Sequence, residues 1–159
     1  MDVTLGTILG FLAAGIAVVP AGFGSSKGVG LVGRAGAGVI TEDPDKFGPI
    51  LVLQAIPGTQ GIYGFLTALM IMVRMGVLGG NVASLTTYQG ILFILASLPV
   101  AFVCWISALY QAQVAAAGVS VVAKRPEEMG KAVILAAMVE TYAVLALLAS
   151  LLLVFSIRV

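Results

Sequence analysis

The segment 132–157, AVILAAMVETYAVLALLASLLLVFSI, decides the fold, because it is 26 residues long and carries a single charge, Glu140. A helix needs about 20 mostly apolar residues to cross a bilayer. Lys131 and Arg158 flank the segment and mark its two ends. We therefore predict a membrane-spanning helix with one acid in its interior.

The rest of the chain repeats this pattern of long uncharged runs between short charged groups. Of its 159 residues, 60% are hydrophobic and 9% are charged, and the mean hydropathy is +1.15. A soluble domain carries about 25% charged residues, so a water-soluble monomer is excluded. A turn-like stretch at 79–87 divides the longest run. We predict an all-α membrane protein with four helices, at about 5–40, 48–76, 88–123 and 131–157.

Several classes of function are excluded by composition. The net charge of +1 provides no electrostatic surface for nucleic acid. Histidine is absent and Cys104 is the single cysteine, so zinc sites, Ser-His-Asp triads and Cys-His dyads are excluded. Asp2 and the lack of a basic start argue against a signal peptide, so we expect an uncleaved first span.

The chain is a duplicated hairpin. PDKFG at 44–48 and PEEMG at 126–130 superpose when the sequence is shifted by 82 positions, with proline on proline and glycine on glycine. Two tandem helical hairpins in the same orientation follow, at residues 1–80 and 81–159.

Small residues are concentrated in the first and third predicted helices. Gly24 and Gly28 form a GxxxG pair, which allows helix backbones to approach closely in lipid. We expect these two helices to form a tightly packed inner layer. GVGLVG at 28–33 matches a dinucleotide fingerprint, but no strand–turn–helix unit surrounds it, so we interpret it as packing.

Basic residues are distributed unevenly between the two sides of the predicted membrane. The two short loops and their flanks carry Lys27, Arg34, Lys46, Lys124, Arg125 and Lys131. The opposite side carries only Arg74 and Arg158. The positive-inside rule therefore places the loops in the cytoplasm and both termini outside.

Glu140 is the candidate functional residue. It lies about ten residues from its loop, roughly 15 Å deep and near the bilayer centre. A charged acid costs about 2.5 kcal/mol or more there, so it must be protonated, paired or bound to a cation. No basic residue lies at matching depth, which excludes an internal ion pair. Its counterpart in the first hairpin is Gly58, so we expect one carboxylate per chain.

Uncharged oxygen donors lie at about the same depth. Thr59 and Gln60 are on the second helix and Gln111 is on the third. Pro57 breaks the hydrogen-bond ladder and frees nearby backbone carbonyls, from Leu53 to Ile56, for other partners. Hard oxygen donors with one negative charge suit a monovalent hard cation. Four or five such donors exceed what a proton requires, so Na⁺ is favoured over H⁺.

Three segments resemble the membrane rotor ring subunit of the V-type ATPases, the K or c subunit proteolipid, and in particular the bacterial sodium-translocating type. They are PGTQGIY at 57–63, Gln111 with VAAAG at 114–118, and MVETYA at 138–143. The resemblance covers nearly the whole chain.

This resemblance implies a ring of identical four-helix subunits in a bacterial plasma membrane, surrounded by lipid. It implies Na⁺ ligation by Glu140, Thr59, Gln60, Gln111 and the backbone carbonyl of Ile56. The same resemblance implies two supporting residues, Tyr63, which bonds the glutamate, and Pro57. The implied partners are a stator membrane subunit with an arginine and the central stalk of a soluble ATPase head. ATP hydrolysis or synthesis occurs in that head, so the chain alone is not an enzyme.

Three alternatives remain open at this point. H⁺ could be the cargo of the same rotor subunit, the chain could be a small four-helix proton-coupled exporter, or it could be a purely structural membrane oligomer. Tyr110 and Gln113 are assigned no role, and Arg74 is interpreted as a residue that reaches toward the membrane interface.

Overall fold

Five α-helices and three 3₁₀ turns form four spans in the computed structural model, which describes residues 4–159. The helices are α1 (Leu5–Glu42), α2 (Phe47–Ala55), α3 (Thr59–Arg74), α4 (Thr87–Lys124) and α5 (Met129–Ser156). The second span consists of α2, the 3₁₀ turn Ile56–Gly58 and α3. The expected all-α class is confirmed, since residues 4–159 contain four long apolar helical spans and no strand.

The two short loops have the same local structure. Each is a 3₁₀ turn that begins with proline, Pro44–Lys46 in the first hairpin and Pro126–Glu128 in the second. Lys46 Nζ lies 2.7 Å from the Ala123 carbonyl oxygen, to which it donates a hydrogen bond. This bond joins the short-loop ends of the two hairpins.

The longer connection, at the opposite end, lies between α3 and α4. Gly76 and Gly80 have φ values of +75° and +70°, a conformation that glycine adopts without steric cost. Thr86 then starts α4 with a capping box, in which its side chain and that of Gln89 bond each other's backbone N–H groups. The turn predicted at 79–87 therefore coincides with this connection and the start of α4.

α1 and α4 share the most extensive helix–helix contact. A Cβ added to Gly24 would lie 2.6 Å from the Trp105 carbonyl oxygen, and one added to Gly28 would lie 3.0 Å from the Ala108 carbonyl oxygen. Neither glycine could carry a side chain without separating the two backbones. The predicted role of the GxxxG pair in close packing agrees with this contact.

α1 and α4 are longer than a bilayer requires. Each has 38 residues, which corresponds to about 57 Å of helix against a hydrocarbon core of about 30 Å. Their ends therefore extend beyond the core. α5 has 28 residues and carries large apolar side chains on its outer face, such as Leu152, which is 72% exposed. Such a surface belongs in lipid or against other membrane helices.

We expect Gly24→Ala to lower the free energy of unfolding by about 1–3 kcal/mol, because the added methyl group overpacks the contact between α1 and α4. Thermal unfolding of the purified protein in detergent measures this. The matched control is Gly22→Ala on the same helix, where an added Cβ meets nothing within 4 Å. Equal effects of the two substitutions would contradict the assignment of close packing to Gly24.

Candidate ion-binding site

Glu140 lies on α5 and is half-buried. The Tyr63 hydroxyl donates a hydrogen bond to its Oε1 atom over 2.5 Å. Among residues 4–159 the ion pairs are Lys46–Asp43 and Lys131–Glu128, so neither compensates this carboxylate. The acid is therefore held by neutral donors.

The second oxygen of this carboxylate faces α4. Gln111 is fully buried, and its Nε2 lies 3.4 Å from Glu140 Oε2 and 3.1 Å from the Ala136 carbonyl oxygen. Its Oε1 accepts a hydrogen bond from Gln60 Nε2 over 2.5 Å. Gln111 thus connects the acid on α5 to the second span.

Gln60 continues the chain of hydrogen bonds at the start of α3. It is fully buried, and its Oε1 lies 3.4 Å from the Thr59 hydroxyl. That hydroxyl donates to the Ile56 carbonyl oxygen over 3.0 Å. Ile56 and Gly58 bound the 3₁₀ turn in the second span, so the break at Pro57 places a carbonyl oxygen beside Thr59.

The structure brings the five sequence-predicted ligand residues and Tyr63 into one connected network, and Pro57 lies in the 3₁₀ turn beside it. From one end to the other it contains Tyr63, Glu140, Gln111, Gln60, Thr59 and the Ile56 carbonyl. Every side-chain group in it is a carboxylate, an amide or a hydroxyl, and all of these present oxygen. Among residues 4–159, no cluster of three or more Asp, Glu, His or Cys residues is present. The network therefore consists of one carboxylate among neutral oxygen ligands, which are hard donors.

A shallow groove of about 430 Å³ on the outer face of α5 reaches the carboxylate. Its lining residues are Ala137, Glu140, Thr141, Val144 and Leu145. A small ion or a reagent can therefore approach Glu140 from the side of α5, while Gln60 and Gln111 form the closed side of the network.

Two serines in this region were missed by sequence reasoning. Ser107 Oγ lies 3.4 Å from both Gln60 Nε2 and the Val139 carbonyl oxygen. Ser25 Oγ accepts a hydrogen bond from the Gly61 backbone N–H over 2.8 Å. The two serines are related by the 82-residue offset, and that correspondence was the signal that could have identified them.

The residues without an assigned role lie outside the network. Tyr110 and Gln113 are exposed on α4. The Arg74 guanidinium donates a hydrogen bond to the Ile157 carbonyl at the end of α5. A cation there complements the carbonyl end of a helix, so Arg74 acts on helix packing rather than on Glu140.

The family model for the C subunit of ATP synthase matches the chain twice, at residues 12–71 and 94–153. The V-type sodium ATPase subunit K of Enterococcus hirae is 45% identical over 151 residues, which cover 95% of this chain and 93% of that protein. The A-type ATP synthase subunit K of Methanocaldococcus jannaschii is 39% identical over 150 residues, 94% of this chain and 63% of that protein. The double match agrees with the predicted tandem duplication.

We expect Gln111→Ala to destabilise the protein by about 1 kcal/mol, since interhelical hydrogen bonds in membranes contribute about 0.6–1.7 kcal/mol and Gln60 would lose the shorter of its two Nε2 hydrogen bonds. Unfolding in detergent measures the difference. The control is Gln113→Ala, two residues along α4 and exposed, which should leave stability unchanged. A neutral Gln111→Ala would show that the amide pair contributes nothing to the fold.

Proposed function

The chain belongs to the family of ATP synthase C subunits, as an integral membrane, non-catalytic rotor subunit of a V-type ATPase, and on this premise we propose that it carries Na⁺ at Glu140. The observation that carries the proposal is the linked set of oxygen donors around that acid. A proton needs the carboxylate and one hydrogen-bond partner, whereas a bound alkali ion needs several oxygens to replace its water.

The proposed ligands are Glu140, Gln111, Gln60, Thr59 and the Ile56 carbonyl. Each glutamine can present its oxygen to the ion by a rotation about its terminal torsion, because the amide nitrogen and oxygen differ little in shape. Tyr63 donates to Glu140 Oε1, which leaves Oε2 on the side of the glutamines. In this proposal Tyr63 orients the carboxylate and Pro57 supplies the backbone break.

Charge neutrality provides the mechanism. An ionised carboxylate facing lipid is costly, whereas one that holds Na⁺ is neutral and can cross the lipid-facing part of a rotation. We propose that an arginine of a stator membrane subunit meets the unloaded Glu140 between ion release and ion uptake. A soluble ATPase head, connected through a central stalk, would drive this rotation by ATP hydrolysis or would use it for ATP synthesis.

Each chain should carry one ion, because the counterpart positions in the other half of the duplication hold no amide and no charged side chain. The counterparts of Glu140 and Gln111 are Gly58 and Val29, and the counterpart of Gln60 is Tyr142. Thr141, the counterpart of Thr59, keeps the same local hydrogen bond, since its hydroxyl donates to the Met138 carbonyl oxygen over 2.8 Å. That pair cannot neutralise a cation.

The same duplication supports a ring of identical subunits. A groove of about 310 Å³ between α4 and α5 is lined by Val103, Ile106, Ser107, Tyr110, Val139 and Tyr142. The residues 82 positions earlier are Ala21, Gly24, Ser25, Gly28, Pro57 and Gln60, and all six are buried within the chain. Within the chain, α4 covers the equivalent residues of α1 and the second span. If α1 of a second copy packed against the groove between α4 and α5, it would bury the groove in the same way.

The matching surface of the second copy is also present. α4 contacts α1 through Trp105, Ala108 and Ala112, whose counterparts are Phe23, Ser26 and Gly30. Phe23 and Ser26 are exposed, and a Cβ on Gly30 would meet only the Arg34 side chain of the same chain, at 3.6 Å. Small residues at 26 and 30 leave space for Tyr110 of a neighbouring copy.

Charges at the end of α1 are opposite in sign to those at the end of α4. The first hairpin carries Glu42 and Asp43 where the second carries Lys124 and Arg125. An acidic end therefore lies beside a basic end within the chain, and the same alternation would continue between copies. We propose that these loops face the cytoplasm, because they and their flanks hold most of the basic residues.

The identity of the transported ion, Na⁺ or H⁺, is tested by labelling Glu140 with a hydrophobic carbodiimide, which modifies the protonated carboxyl group. We expect Na⁺ at fixed pH to protect it, while K⁺ at equal ionic strength protects less. The half-protecting Na⁺ concentration, at which labelling falls to half, should rise as pH falls. The rise should be up to about tenfold per pH unit, because one proton competes with one Na⁺ ion. Protection by raised pH but by no concentration of Na⁺ would favour H⁺ as the cargo.

The role of Glu140 as the ion carrier is tested by Glu140→Gln, which should abolish both carbodiimide labelling and ion flux in reconstituted ATPase. Glu127→Gln is the control, because Glu127 is an exposed acid in the Pro126–Glu128 turn. Ion flux that survives Glu140→Gln would favour a purely structural role for the chain.

The ring contact is tested by Ser26→Cys with Tyr110→Cys in a Cys104→Ala background. Oxidation should give a ladder of covalent oligomers on a denaturing gel, since the proposed contact brings residues 26 and 110 of neighbouring copies together. The control pair is Ser26→Cys with Ile134→Cys, because Ile134 lies about two helical turns closer to the short loops. Monomers alone from an intact ring would contradict the proposed contact.

A further inference from the structure

We propose that Ser25 of α1 is a positioning residue for the ion site, an inference that rests on the proposed function. Ser25 caps the first turn of α3 from another helix and so fixes Thr59 and Gln60. Its hydroxyl oxygen lies 2.8 Å from the Gly61 backbone nitrogen, which donates the hydrogen bond.

The break in the second span creates the need for this cap. The first N–H groups of any α-helix lack partners within the helix, and a side chain at the N-cap position usually accepts from one of them. In α3 that position is Gly58, which has no side chain, and no side-chain cap bond is present. Ser25 provides the missing acceptor.

Close approach of the two helices makes this bond possible. A Cβ on Gly61 would lie 3.3 Å from both Cβ and Oγ of Ser25, so glycine leaves room for the serine. Ser25 is 6% exposed. One turn further along α1, Gly28 lies against Pro57, since a Cβ there would be 3.0 Å from the proline Cβ. α1 therefore contacts the second span on both sides of the break.

The ligands that this cap controls are those of the second span. Thr59 and Gln60 lie between the 3₁₀ turn and Gly61, so loosening of the turn displaces a hydroxyl and an amide together. Glu140 and Gln111 have anchors beyond that first turn, since Tyr63 lies further along α3 and bonds Glu140, and the Ala136 carbonyl of α5 bonds Gln111. Ser25 itself touches none of the proposed ligand atoms.

Loss of Ser25 should therefore weaken Na⁺ binding without altering the acid. In Ser25→Ala we expect the half-protecting Na⁺ concentration in carbodiimide labelling to rise by about 2- to 30-fold, the range that corresponds to a lost N-cap. The pH dependence of labelling without Na⁺ should stay as in the native ring. A general disturbance of the fold would shift both.

Two further variants complete the experiment, which uses the intact ring. Thr41→Ala is the control, because the Thr41 hydroxyl is exposed on the same helix, α1, and donates to the Ala37 carbonyl; its protection curve should match the native one. Ser25→Cys keeps the volume but replaces the hydroxyl with a weak acceptor, and it should show the same direction of change if Ser25→Ala does not assemble.

Unchanged Na⁺ protection in the assembled Ser25 variant would overturn the inference while leaving the proposed function intact. A rise accompanied by an equal shift of the sodium-free pH profile would also overturn it, because the effect would then reach Glu140. Absence of Na⁺ protection in the native ring would instead refute the proposed function, and the positioning role with it.

Discussion

The structure depends on one electrostatic constraint, the cost of a carboxylate inside a lipid bilayer. Glu140 has no basic partner among the ion pairs of residues 4–159, so its neutralisation must come from a proton or a bound cation. The surrounding protein supplies neutral oxygens in place of an opposite charge. Under the proposed function, the charge state of the acid is then set by the ion that it binds, which is the property that a rotating ion carrier requires.

The fold serves this constraint by bringing three spans to one level of the membrane. Small residues let α1 and α4 pack closely, and the second span and α5 both contact α4, where Gln111 bonds Gln60 and Glu140. The interruption at Pro57 then exposes a backbone carbonyl beside Thr59. A continuous helix would keep that carbonyl within its own hydrogen-bond ladder, so the site depends on a local defect in otherwise regular structure.

Much of this arrangement follows from the sequence, because membrane spans are defined by simple physical limits. The charge-free runs predicted four helices, and the repeated PDKFG and PEEMG segments predicted the tandem hairpins. The depth of Glu140, Gln60 and Gln111 predicted their proximity, although not which amide atoms face each other. Ser25 was missed because a serine that caps another helix has no periodicity and no charge to distinguish it from a packing residue; its match to Ser107 at the 82-residue offset was the available signal.

The duplication explains why a chain with two hairpins keeps one carboxylate. A second acid at position 58 would sit between hairpins without the two glutamines, since Val29 and Tyr142 occupy their counterpart positions. Such an acid would lack the oxygens that neutralise a bound cation, and its burial would cost about 2.5 kcal/mol or more. Gly58 avoids that cost, and Tyr142 lines the groove between α4 and α5, where it is 66% exposed. In the proposed ring, side chains at these counterpart positions, such as Tyr142, would line the contact between copies instead of an ion site.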